Sequence, residues 1–217
     1  MIYSQETWAY IVAWIANITF FIGFIPQIIL NYRLKTTRGL SNVYILSSLN
    51  SHFACLYYAF CMNLPLVHKI MVPLFTMAVL TIVFQRFYYS SFRKRNLFIY
   101  LLNILFVISL LPLVLKQPKF MGVIFGWIAI FIGFWQKVPQ IRKIHVEKSV
   151  KGFSLFFVLI CITGYLFEIS ASIILKLPFE LIFNDFRSLM FYTILGVQYF
   201  LYKNPRLNKN KGCTTDA

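Results

Sequence analysis

Charge is what this sequence has least of. Only 12% of its 217 residues are Asp, Glu, Lys or Arg, and none interrupts positions 7–32, 39–68, 96–115 or 120–136. A spanning helix needs about 20 mostly apolar residues. A soluble domain of this length could not hide a chain that is 59% hydrophobic with 24 Phe, so a soluble enzyme is excluded. The first run is too long, and too free of preceding basic residues, for a cleavable signal peptide. Four cysteines form no CxxC pair, which leaves neither a zinc site nor a disulfide framework. No nucleophile–base pair and no metal-ligand spacing is present, so the sequence implies no enzyme, cofactor or metal.

What is there organises into seven predicted spans, 7–32, 40–61, 66–89, 97–115, 121–144, 153–176 and 183–202. The formal charge of +15 is a loop property rather than a nucleic-acid footprint. With the N-terminus outside, 16 of the 21 Lys and Arg fall on inner loops, inner helix ends and the tail, and five (Lys69, Lys116, Lys119, Lys176, Arg187) on the outer side. Basic loops stay cytosolic, so the C-terminus is expected in the cytosol. Lys137 is expected to snorkel toward the cytosol. The basic tail from Lys203 is expected to lie disordered at the membrane surface.

The sequence also repeats itself. Pro26-Gln27 and Pro139-Gln140 are 113 residues apart, and six of the sixteen positions 26–41 are identical to 139–154 without a gap. They include Lys35/Lys148, Gly39/Gly152 and Ser41/Ser154. Three further positions are conservative (Thr36/Ser149, Arg38/Lys151, Leu40/Phe153). Glycine suits the turn after each basic loop, and serine suits a helix cap. Two copies running in the same direction, each of three spans, need one linking span between them. The expected architecture is an all-α membrane protein of 3+1+3 design, a parallel repeat of triple-helix bundles. Its parts are a first repeat over 1–95, a linker helix over 96–118, a second repeat over 119–203 and a tail over 204–217.

The segments Gly23–Gln27 through Ser41 and Lys137–Gln140 through Ser154 resemble the two signatures of the PQ-loop transporters. That family includes cystinosin and the lysosomal cationic amino-acid exporters, with SWEET and SemiSWEET sugar transporters as more distant relations. The resemblance spans nearly the whole chain. It implies a carrier of a small polar solute, with an amino acid favoured. In the cystinosin branch an aspartate shortly after the second Gly-x-Ser is linked to proton coupling. Here that position is Cys161, and its counterpart in the first copy is Ser48.

Individual residues sharpen the expectation. Proline inside a helix removes a donor and clashes with the carbonyl four residues back, here Ile22 and Trp135. Pro26, Gln27, Pro139 and Gln140 are therefore read as paired hinges for alternating access. Glu168 is read as the one acid well inside a span, where a charge costs about 2.5–3.5 kcal/mol on insertion scales. It must then face the bundle interior or water. Asn17, Asn50, Thr163 and Glu168 are the candidates for solute binding, and Glu168 and His52 those for proton coupling. Trp14, Trp127 and Trp135 are read as packing residues. Membrane lipids and a small solute are the expected partners, and nucleic acid is not. A sugar carrier and a KDEL-receptor-like cargo receptor are the alternatives. One outer arginine, Arg187, is a poor grip for a peptide carboxylate. Composition and the lack of sorting signals suit a bacterial inner membrane, with a lysosomal or vacuolar membrane as the alternative.

Overall fold

The computed structural model describes residues 5–37, 42–89, 94–148, 150 and 155–203, without the side chains of residues 42, 94–97, 140, 143, 147 and 157. Eight helices follow in order: α1 (Gln5–Leu34), α2 (Asn42–Cys61), α3 (Leu66–Tyr89), α4 (Lys94–Ser109), α5 (Leu111–Lys116), α6 (Pro118–Glu147), α7 (Leu155–Ile174) and α8 (Phe179–Tyr202). Among the described residues there is no strand. The capping assigned to Gly39, Ser41, Gly152 and Ser154, and the tail from residue 204, lie outside the described residues.

The span expected over 97–115 is two helices, α4 and α5, parted at Leu110. Pro112 is the physical reason. It sits in the first turn of α5, where its missing N–H costs nothing, but it cannot continue α4 because its ring opposes the carbonyl of Ile108. By contrast α1 and α6 run unbroken through Pro26 and Pro139.

Adding 113 to the bounds of α1, α2 and α3 returns those of α6, α7 and α8: 5–34 becomes 118–147, 42–61 becomes 155–174, and 66–89 becomes 179–202. Helix ends obey the same offset. Among the described residues, four that are not glycine have left-handed backbone, and they pair as Lys35 with Lys148 (φ 49° and 46°) and Asn63 with Lys176 (φ 51° and 50°). That conformation costs a lysine roughly 1–2 kcal/mol. At the first pair a cation–π contact helps hold it. Lys35 Nζ lies 3.8 Å from the Tyr32 ring centre and 5.5 Å from that of Tyr89, and Lys148 Nζ lies 4.9 Å from that of Tyr202.

The six repeated helices close a ring. α3 packs between α1 and α2, α8 packs between α7 and α6, and the contacts α2–α6 and α1–α7 join the two sets. Small residues set the approach of those seams. Ala9, Ala13 and Ala16 are buried along α1. Gly122, Gly126 and Ala129 occupy the corresponding positions of α6, where Gly126 faces Tyr58 of α2. α4 and α5 lie outside the ring. Tyr100 of α4 joins Ile45, Leu49, Val79 and Val83, while Val114 of α5 joins Tyr58, Phe125 and Ala129.

The distribution of polarity is that of a protein solvated by lipid. Phe84, Phe131 and Phe156 are 64–73% exposed, whereas Asn17, His68, Gln85, Glu168, Asp185, Arg187 and Gln198 are buried. Water would reverse that arrangement, but hydrocarbon requires it. By length and composition Gln5–Leu34, Leu66–Tyr89, Phe98–Lys116 and Pro118–Val146 can cross a membrane.

Candidate functional site

Glu168 of α7 is 4% exposed, and its partners come from two other helices. Asn17 Nδ2 of α1 donates to Glu168 Oε2 at 2.8 Å and to the Ala13 carbonyl at 2.9 Å. His68 Nε2 of α3 stands 3.4 Å from Glu168 Oε1, close enough for an ion pair once the ring is protonated. Gly164 permits this meeting. A Cβ there would lie 2.6 Å from Phe20 Cε1, so α7 can approach α1 only with no side chain at that position. Ala13, Val67, Met71 and Ala171, each within four positions of one of these three residues, pack together as an apolar cluster.

Two of the four expected solute-binding residues, Asn17 and Glu168, thus meet across 151 positions of sequence. The other two do not join them. Asn50 is half-buried on α2 and Thr163 is exposed on α7. His52 is turned to its own helix, with Nδ1 2.7 Å from the Ser48 carbonyl and its ring edge-on to Phe24. The histidine beside Glu168 is not the proton-coupling candidate His52 but His68, which the sequence reading did not single out. Its only signal in the sequence was a histidine two residues inside a predicted span, which does not say what it faces.

A second, largely buried cluster occupies the α6–α7–α8 side and corrects three expectations. Lys137 does not snorkel: its Nζ donates to Ser188 Oγ at 3.1 Å and lies 4.9 Å from the Tyr192 ring centre. Arg187 is not on the outer surface. It is 7% exposed and donates to Asn184 Oδ1 at 2.7 Å, to Ser188 Oγ at 3.2 Å, and to the carbonyls of Ala129 and Ile130. Gly133 makes the seat, because any Cβ there would collide with the guanidinium. Nor is Glu168 the one acid inside the bundle. Asp185 is equally buried and lies within electrostatic reach of Arg187, Lys137 and Glu168. The sequence reading placed Arg187 on the outer side because it lies early in the span expected over 183–202. Packing against α6 and α7 carries it and Asp185 inward.

The Pro-Gln segments are tied to the third helix of each set. Gln27 Nε2 donates to Asn31 Oδ1 at 2.8 Å, and Asn31 Nδ2 donates to Gln85 Oε1 at 3.0 Å. Gln85 Nε2 donates to the Ile28 carbonyl at 3.0 Å, and Gln198 Nε2 to the Ile141 carbonyl at 3.1 Å. Both donor and acceptor of the second bond lie 113 residues beyond those of the first. Pro26 and Pro139 are exposed on their helices, and the side chain of Gln140 lies outside the described residues. Interhelical bonds of this kind average about 0.6 kcal/mol, with a maximum near 1.7. Gln85→Leu is therefore expected to cost about 1–2 kcal/mol, because it also strips Asn31 of its acceptor. Gln198→Leu is expected to cost about 0.6 kcal/mol. Thermal melts of the detergent-purified protein check both values, and a costlier Gln198→Leu would break the expected order.

Chemically, the bundle holds acids and bases of both signs away from bulk water but hydrogen-bonded, an arrangement suited to gripping a charged or polar guest. The described groove, about 400 Å³ and lined by Val123, Ile124, Trp127, Ile128, Phe131 and Ile132, is apolar, lies along α6 and suits lipid chains.

Residues 8–68 and 121–181 each match the family model described as PQ loop repeat, and the second match begins and ends 113 residues after the first. An uncharacterized protein of Schizosaccharomyces pombe is 30% identical, over 99% of this chain and 78% of that protein. A solved eukaryotic SWEET transporter is similar with a TM-score of 0.72 at 16% identity, covering 91% of this chain and 98% of the other. At that identity the likeness is one of fold. A relative in a eukaryote weighs against the bacterial inner membrane expected from composition. With two matched repeats and a relative that aligns with 99% of it, the chain is a multi-pass membrane protein belonging to the PQ-loop repeat family.

Proposed function

We propose that this protein carries a small polar solute across a eukaryotic membrane by alternating access, and that the solute is an amino acid. One observation carries the reading: the ring of helices gathers ionisable groups of opposite sign, the buried Glu168 with Asn17 and His68, and the buried Arg187 with the half-buried Lys137. Keeping ionisable groups inside a membrane bundle is costly, and such groups mark solute or ion pathways. An amino acid presents both charges and can engage both sides. The repeated helix bounds support a 3+1+3 design, α1–α3 and α6–α8 joined by α4–α5, with the solute held between the triplets. The excess of basic loops supports an outside N-terminus and a cytosolic C-terminus, and a lysosomal or vacuolar membrane is the compartment we favour.

In this reading the segments beyond Pro26 and Pro139 swing to open the cytosolic side. Pro26→Ala with Pro139→Ala restores two backbone donors and stiffens both helices. The double variant is expected to fold and to slow transport about tenfold. Unchanged flux would remove the hinges from the mechanism.

A sugar remains the second reading, favoured by aromatic surface beside the basic cluster: Tyr165 and Tyr192 stack at 5.7 Å, and Phe20 lies 4.5 Å from Tyr165. Counterflow into proteoliposomes, with labelled amino acids against labelled glucose and sucrose, separates the two. Uptake of sugars alone would overturn the amino-acid reading.

A further inference from the structure

We propose that Lys137 and Arg187 form a carboxylate site at the α6–α8 seam, with Ser188 Oγ marking where an oxygen of the solute's acid group binds. The inference rests on the carrier reading and deepens it by assigning one end of the solute to named residues. Lys137 Nζ and Arg187 Nη2 donate to that one hydroxyl oxygen, at 3.1 and 3.2 Å. The other acceptors of Arg187 are equally neutral, an amide oxygen and two backbone carbonyls. A buried guanidinium and a half-buried ammonium thus converge on an uncharged oxygen.

Polar capacity is left over at the same place. Arg187 Nε and Asp185 Oδ2 are buried with no hydrogen-bond partner among the described residues. Among those residues, Asp185 is the acid within electrostatic reach of both cations. Two positive charges against one negative leave a formal surplus of one. A carboxylate brings one negative charge and two oxygens, and arginine's paired N–H groups match that shape better than any point charge. A phosphate dianion would overshoot the surplus. Tyr165 and Tyr192 form a wall beside Lys137.

The fold does not require this cluster. Subtracting 113 places Phe24, Leu74, Phe75 and Val72 at the positions of Lys137, Arg187, Ser188 and Asp185. The first set of helices fills the same places with apolar side chains. Charges retained in one half alone are therefore explained by a ligand better than by packing. Glu168, which Asp185 senses, is then free to meet the ammonium end.

The test uses the full chain in proteoliposomes and in detergent. The probes are L-leucine, L-lysine and L-glutamine, each beside its carboxamide, with glucose and sucrose as uncharged controls. Lys137→Phe with Arg187→Leu copies the first half's own residues and so keeps the packing viable. Arg187→Lys keeps the charge without the planar fork. Wild type is expected to carry at least one free acid and to accept its carboxamide about 10–100-fold less well, the range of a lost charge-assisted hydrogen bond. The double variant is expected to fold and to lose that discrimination, with Arg187→Lys in between. A double variant that still discriminates overturns the site. So does a wild type that carries sugars and ignores the acids, although the carrier reading then survives. If no probe is carried, the carrier reading fails. Thermal shift in detergent then decides the site alone, and equal shifts from acid and carboxamide overturn it.

Discussion

Exchanging Glu168 for glutamine is expected to lower solute uptake by about 10- to 100-fold while leaving the protein folded. Glutamine has nearly the same shape and keeps a carbonyl oxygen for the Asn17 amide, now 2.8 Å away. What it removes is the charge that faces His68 and, in the proposed mechanism, an ammonium group. Hydrogen bonds to charged groups contribute about 1.5–3 kcal/mol, and each 1.4 kcal/mol is a factor of ten in affinity. Stability should not fall in parallel, because glutamine keeps the hydrogen bond to Asn17 and removes the cost of holding a charge out of water. Asn17→Leu should behave differently. It leaves a buried carboxylate without its donor, so both uptake and melting temperature should drop. Proteoliposome uptake and detergent melts, run on both variants, check the pair. Full activity in Glu168→Gln would remove the acid from the solute path.

The largest effect on folding is expected from Gly126→Leu. The α2–α6 seam closes over this glycine. A Cβ there would stand 2.9 Å from Tyr58 Cε2 and 3.3 Å from the Glu180 Cβ. Tyr58 cannot step aside, being packed among Ala54, Ala59, Leu64 and Phe125. Over-packing by a methylene or two costs about 1–3 kcal/mol, and leucine adds four carbons. We expect more than about 3 kcal/mol, or a fall of roughly 6–12 °C in melting temperature at this chain length. Trp127, the next residue, is half-exposed on the outer side of α6. Trp127→Leu is the control, expected within about 0.5 kcal/mol of wild type. Similar melts for the two variants would mean that the seam is not closely packed.

Some of this was legible in the chain alone, because it depends on one-dimensional facts. Charge-free runs long enough to cross hydrocarbon fix where helices must be, and α3 begins and ends where the reading placed it. A Pro-Gln pair recurring at a constant offset is visible without coordinates. Glu168 announced itself because a charge inside a span must find partners, and Asn17 because an amide in such a run must do the same. The break at Leu110 is also written in the sequence, as Pro112, but the uncharged run around it reads as one continuous span.

What the sequence determined by itself was therefore solvent and period: a lipid-dissolved chain of helices, written twice. Which polar groups meet was decided by tertiary structure. His68 rather than His52 faces Glu168, and Lys137 and Arg187 turn inward to share Ser188. The physical reason is that a helix fixes a side chain's height along its own axis but not the neighbour it looks at. That neighbour is chosen by how closely two backbones approach, which at these seams is set by Gly126, Gly133 and Gly164, each meeting a residue far from it in sequence, Tyr58, Arg187 and Phe20.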